Sequence, residues 1–204
     1  MVALTSFGSR IAGTLGDLLS DEKIPVNTRR HIARVLQQIP HQRSVDVLMD
    51  QIVESNLTIR SAALRALARL RETAPKLNYG RESVTQQILF EARTYYELAA
   101  ALGPFRAAAD RHTPVGLLAS TLEERLKSTI QRLFYLLGLK YPPREIYAAY
   151  LAVNRGRAED ISTAIEFLDN VLDRELKRVL LPLFDAPEHV AERGMQEFGL
   201  ARMD

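Results

Sequence analysis

Five arginines in the first third of this sequence, Arg30, Arg34, Arg65, Arg69 and Arg71, carry its clearest chemical possibility. Arg34 and Arg65 stand 31 positions apart, as do Arg29 and Arg60. A guanidinium is a planar fork of N–H donors that stays charged, so arginines repeated at one interval suit phosphate or carboxylate groups. Arg30, Arg34, Arg65 and Arg69 are therefore the candidate partner-binding residues. The competing reading is a solvated helix face, with Arg29 and Arg60 bonded between repeats to acids such as Asp17, Asp46 or Asp50.

Other residue types offer less. Glu166, Asp169 and Asp173 fall at i, i+3 and i+7, a spacing that can put three carboxylates on one helix face for a hard cation. Asp173, however, precedes Arg174-Glu175-Leu176 and reads as a helix cap, so no metal site is expected. His31, His41, His112 and His189 are scattered, and none has a second ligand at metalloprotease spacing. Tyr141, Tyr147 and Tyr150 could stack on a ligand, but beside Pro142-Pro143 they read better as anchors of a loop against the core. There is no cysteine, hence no disulfide or thiolate site. Nucleophile elbows, phosphate-binding glycine loops and dinucleotide fingerprints are all missing. No catalytic residue, cofactor or metal is expected, and the chain does not read as an enzyme.

The elements that hold the arginines come from periodicity. Arg29, Ile32, Ala33, Leu36 and Ile39 step by three and four, and Arg60, Ala63, Leu64, Leu67 and Leu70 echo them. Each stripe follows a shorter one: Ile11, Leu15, Leu18 and Leu19, then Val45, Leu48, Met49 and Ile52. Helix, turn, helix at a fixed period is an α-solenoid pattern. Ser9 is a candidate cap for the first helix and Pro25 opens the second, which Pro40 ends. Arg43 or Ser44 opens the third, and Asn56 caps a fourth running from Leu57 to Glu72. Leu36, Leu48, Leu64 and Leu67 are expected in the core between them.

Residues 73–82 read as a loop. A helix from near Val84 stops at Gly103-Pro104, and a short apolar piece spans residues 105–109. A long helix from Val115 to Leu137 shows Leu118, Leu122, Leu126, Ile130, Leu133 and Leu137 as its buried face, with Gly138 as its stop. Further helices end at Asn154-Arg155-Gly156, cover residues 159–172 and 173–184, and run from about Pro187 to Phe198. No strand is expected. The fold class is all-α: a short α-solenoid of two hairpins (residues 1–72) continued by longer packed helices (residues 83–204).

Composition sets bounds. The 204 residues carry a net charge of +2, but residues 1–80 hold 11 Lys/Arg against 7 Asp/Glu. No segment has the roughly 18 uncharged apolar residues of a membrane helix, and no signal peptide is expected.

The hairpins resemble HEAT repeats, whose second helix opens with Val-Arg or an equivalent, then Ala-Ala or Ala-Leu, then Leu. Ile59-Arg60 with Ala62-Ala63 and Ala66-Leu67 carries the likeness, and Thr28-Arg29 with Ile32-Ala33 follows it more loosely. Ala164-Ile165 with Leu168 suggests a degenerate repeat near residues 144–172, with Ile161 in the arginine's place.

A narrower resemblance spans most of the chain. It rests on Leu15-Gly16-Asp17, Arg29-Arg30 with Ile32 and Arg34-Val35-Leu36, and Tyr95-Tyr96-Glu97-Leu98. Leu136-Leu137-Gly138-Leu139 before Tyr141-Pro142-Pro143, and Phe167 to Asp173, complete it. These segments resemble the soluble helical-repeat region of bacterial membrane proteins that join HEAT repeats to a transporter domain of the major-facilitator or ADP/ATP-translocase type. The resemblance implies a fragment or free-standing relative on the cytoplasmic side of the inner membrane. It also implies that Asp169-Asn170 orders a turn between helices. The transporter and cyclic-nucleotide domains of such proteins have no counterpart in these residues, so neither transport nor nucleotide binding carries over.

The expected function is a non-catalytic scaffold or regulatory module that binds a protein or an adjacent domain. The alternatives are a nucleic-acid-binding or DNA-modifying HEAT-like protein using the basic face of residues 29–71, and a structural spacer. Absent tryptophan and a charge of only +2 weigh against nucleic acid.

Overall fold

The computed structural model describes residues 8–105, 113–185 and 190–199. The protein is all-α, with no strand among the described residues. Its helices are α1 (Ala12–Ser20), α2 (Val26–Leu36), α3 (Gln42–Asp50), α4 (Leu57–Thr73), α5 (Arg81–Leu102), α6 (Pro114–Lys140), α7 (Pro143–Arg155), α8 (Ala158–Val171), α9 (Arg174–Leu180), α10 (Pro182–Asp185) and α11 (Val190–Phe198). The chain divides into two compact units, Met1–Gln87 with Tyr135–Pro143 and Ile88–Phe134 with Arg144–Asp204.

In the first unit α1 packs on α2 and α3, α2 packs on α4, and α3 packs on α4. The two hairpins therefore stack with first helix beside first helix and second beside second. Leu36, Leu48, Leu64 and Leu67 are wholly buried, as their spacing requires. One hairpin has no second layer to cover its apolar stripe, so each repeat completes the core of the other.

Local chemistry sets the boundaries. Asn56 Oδ1 accepts from the Thr58 and Ile59 amides at 3.0 and 3.3 Å, the cap expected for α4. The cap of α3 is His41 rather than Arg43 or Ser44, through Nδ1 and the Arg43 amide at 3.2 Å. Gly16 permits a close approach, since a Cβ there would lie 2.7 Å from Val47 Cγ2. After α4, Gln42 clamps the loop by exchanging two hydrogen bonds with the Asn78 backbone, at 2.8 and 2.9 Å.

In the second unit, Arg132 of α6 donates to the Glu91 carboxylate of α5 at 2.9 Å, and both side chains are buried. Tyr96 donates to the Val179 carbonyl at 2.9 Å, which ties α5 to α9. Burial pushes the Tyr96 hydroxyl up to about 12. Phe134 packs on Tyr150 and Phe184 with ring centres 5.4 and 5.7 Å away.

Two expectations for α6 are corrected. The helix runs through Gly138 to Lys140. Glycine ends a helix when it adopts positive φ, which Gly156 does after α7 and Gly138 does not. Tyr141-Pro142 stops α6 instead, because a residue before proline avoids helical backbone. The buried face is also shorter than its stripe. Leu133 and Leu137 are buried and Leu122, Leu126 and Ile130 half-buried, but Leu118 is 45% exposed. Periodicity shows which side of a helix is apolar, not how far neighbouring elements extend along it. Residues 106–109, Pro187, His112 and His189 lie outside the described residues, as does the Ser9 side chain.

Candidate functional site

The repeat interval places two buried arginines in related positions. Arg29, at the start of α2, donates from Nε to the Leu19 carbonyl at 2.6 Å, near the end of the preceding helix. Arg60, in the first turn of α4, donates from Nε to the Glu54 carbonyl at 2.8 Å, just after the preceding 3₁₀ turn. Each guanidinium thus meets a carbonyl that helix geometry leaves without an intrahelical donor. Arg29 also reaches Glu54 Oε2 at 2.7 Å. Glu54 Oε1 in turn accepts from the Asn56 amide and the Ser55 hydroxyl, each at 3.1 Å. The Asn56 N–H, helped by the Arg29 guanidinium, holds the Glu54 carboxyl below its ordinary range. The acid that Arg29 meets is therefore Glu54, not Asp17, Asp46 or Asp50.

With Arg29 and Arg60 turned inward, four other arginines of the two helices are left outside. Arg30 and Arg34 on α2 are exposed, as are Arg65 and Arg69 on α4. The two helices pack on one another, so the structure brings these four to one layer of the first unit. Arg69 reaches Glu72 at 2.6 Å, with the side chains 64% and 50% exposed. An exposed pair of this kind contributes little and is screened by salt, so Arg69 stays available. Among the described residues, Arg30, Arg34 and Arg65 have no ion-pair partner. Arg71 leaves the stripe: its guanidinium donates to the Pro75 carbonyl and lies 5.3 Å from the centre of the Tyr79 ring.

The other candidates do not assemble. Helix α8 ends at Val171, so Asp173 belongs to the start of α9 and the three-carboxylate face does not form. Asp169 meets Lys177 at 3.3 Å, and Asn170, rather than ordering a turn, donates to the Glu166 carbonyl inside α8. Among the described residues no group of three potential metal ligands occurs. Tyr141 is buried in the first unit, whereas Tyr147 and Tyr150 pack together in the second with ring centres 6.3 Å apart. His31 is exposed, and its Nδ1 lies 2.6 Å from the Asn27 carbonyl.

Two features were not visible in the sequence. One is the buried Glu91–Arg132 pair. The other is an open cleft of about 550 Å³ in the second unit, between Glu166 and Asp169 of α8, Lys177 and Arg178 of α9, and Arg193 and Glu197 of α11. Its charges largely meet one another, as in the Arg178–Glu197 pair at 3.0 Å.

Residues 9–78 match the family model of HEAT repeats, a span that takes in both hairpins and the loop after α4. No curated protein and no solved structure matches the chain. Among the described residues no helix is long and apolar enough to cross a membrane.

Proposed function

We propose that this chain is a non-catalytic helical-repeat module that binds an acidic protein surface or an adjacent domain through Arg30, Arg34, Arg65 and Arg69. One observation supports the reading: α2 and α4 pack on one another and both carry exposed arginines, three of the four without a carboxylate partner among the described residues. HEAT-like stacks bind partners over extended surfaces and need no reactive group to do so. On the sequence resemblance, we place the module in the bacterial cytoplasm beside a transporter domain, and read α7 and α8 as a degenerate further repeat.

Salt titration separates this reading from nucleic-acid binding. The full chain should bind fluorescent poly-L-glutamate modestly, weakening as added salt shortens the reach of unscreened charge. Duplex DNA should bind weakly and without sequence preference. Submicromolar DNA affinity at physiological salt contradicts the proposal.

A further inference from the structure

The helices that carry the exposed arginines also carry two exposed aliphatic side chains that the repeat places in register. Val26 opens α2 and is 37% exposed, while Leu57 opens α4 and is 40% exposed. They stand 31 positions apart, the interval that relates Arg34 to Arg65. Each helix therefore carries an aliphatic residue at its start and an arginine eight positions later, about 12 Å along at about 1.5 Å per residue. Because α2 packs on α4, the repeat sets Val26 against Leu57 and Arg34 against Arg65 at equivalent positions of neighbouring helices, an apolar row and a basic row in register. Arg30 adds a further cation between the rows on α2. A surface meant only for a polyanion gains nothing from the apolar row. A helix is about 10–12 Å across with its side chains, so one lying over α2 and α4 reaches both rows.

We infer that this face takes an acidic amphipathic helix of a protein partner, its leucine-type side chains on Val26 and Leu57 and its carboxylates on Arg34 and Arg65. The inference rests on the reading of the same face as a partner-binding surface and names the partner's chemistry. Charge complementarity selects the acidic flank, since three of these arginines have no ion-pair partner among the described residues. The aliphatic row supplies the orientation, because only one end of each helix offers apolar contact.

The test titrates the full chain with three designed helical peptides: leucines with a glutamate flank, serines with the same glutamates, and leucines with glutamines. The first should bind at least about tenfold tighter than the serine peptide, the effect of seating aliphatic side chains. It should bind at least about threefold tighter than the glutamine peptide at low salt. A Val26→Ser/Leu57→Ser variant should lose the advantage of leucine over serine. Equal binding of the two glutamate peptides, or an advantage that survives in that variant, overturns the inference and leaves the arginine face standing. Equal binding of the glutamate and glutamine leucine peptides overturns both.

Discussion

Arg29→Ala should lower folding stability by about 3–5 kcal/mol, whereas Arg34→Ala in the same helix should change it by less than about 0.5 kcal/mol. The contrast follows from where the repeat puts each guanidinium. The Arg29 side chain is 4% exposed and meets both Glu54 Oε2 and the Leu19 carbonyl. Removing it leaves a mostly buried carboxylate short of its cation and a helix-end carbonyl short of a donor, and neither is well placed to recover those bonds from water. Arg34 is exposed, so its loss strands nothing. Urea unfolding of the two variants beside the parent measures both. A loss below about 1 kcal/mol for Arg29→Ala contradicts the role given to the inward arginines.

Arg132→Ala should cost about as much, roughly 3–5 kcal/mol, because it takes the guanidinium away from a Glu91 carboxylate that has no exposure. Arg132 also donates to the Thr129 hydroxyl at 2.9 Å, but Thr129 keeps its own bond to the Arg125 carbonyl at 2.9 Å. The paired change Glu91→Leu/Arg132→Leu should recover most of the loss, since an apolar pair needs no compensating charge. Thermal unfolding of the single and double variants reads this directly. A double variant no more stable than Arg132→Ala would show that the site requires charge rather than merely tolerating it.

The first four helices were legible because their determinants are local. A stripe at a 3.6-residue period marks the buried side, an asparagine oxygen is well placed to cap α4, and prolines flank α2. The exposed arginines were legible for the same reason: Arg34 and Arg65 follow inward-facing Arg29 and Arg60 at an offset that turns them outward. What depends on packing was not. Glu54 meets Arg29 across 25 residues and Glu91 meets Arg132 across 41, and no local pattern selects those partners from the chain's other acids. Arg71 looked like part of the stripe until the loop after α4 brought Tyr79 beneath it. Gly138 failed as a stop because the rule for glycine depends on φ, which composition does not reveal. Leu118 failed as core because burial depends on the length of whatever lies opposite.

The most direct measurement is the affinity of Arg34→Ala/Arg65→Ala/Arg69→Ala for poly-L-glutamate at low salt, taken with its unfolding midpoint. Three exposed charge contacts at about 0.2–1 kcal/mol each amount to a loss from about threefold to more than a hundredfold. The loss should fall in that range and shrink as salt rises, with stability changed by less than about 0.5 kcal/mol per site. Binding indistinguishable from that of the parent chain contradicts it and returns these arginines to a solvated helix surface.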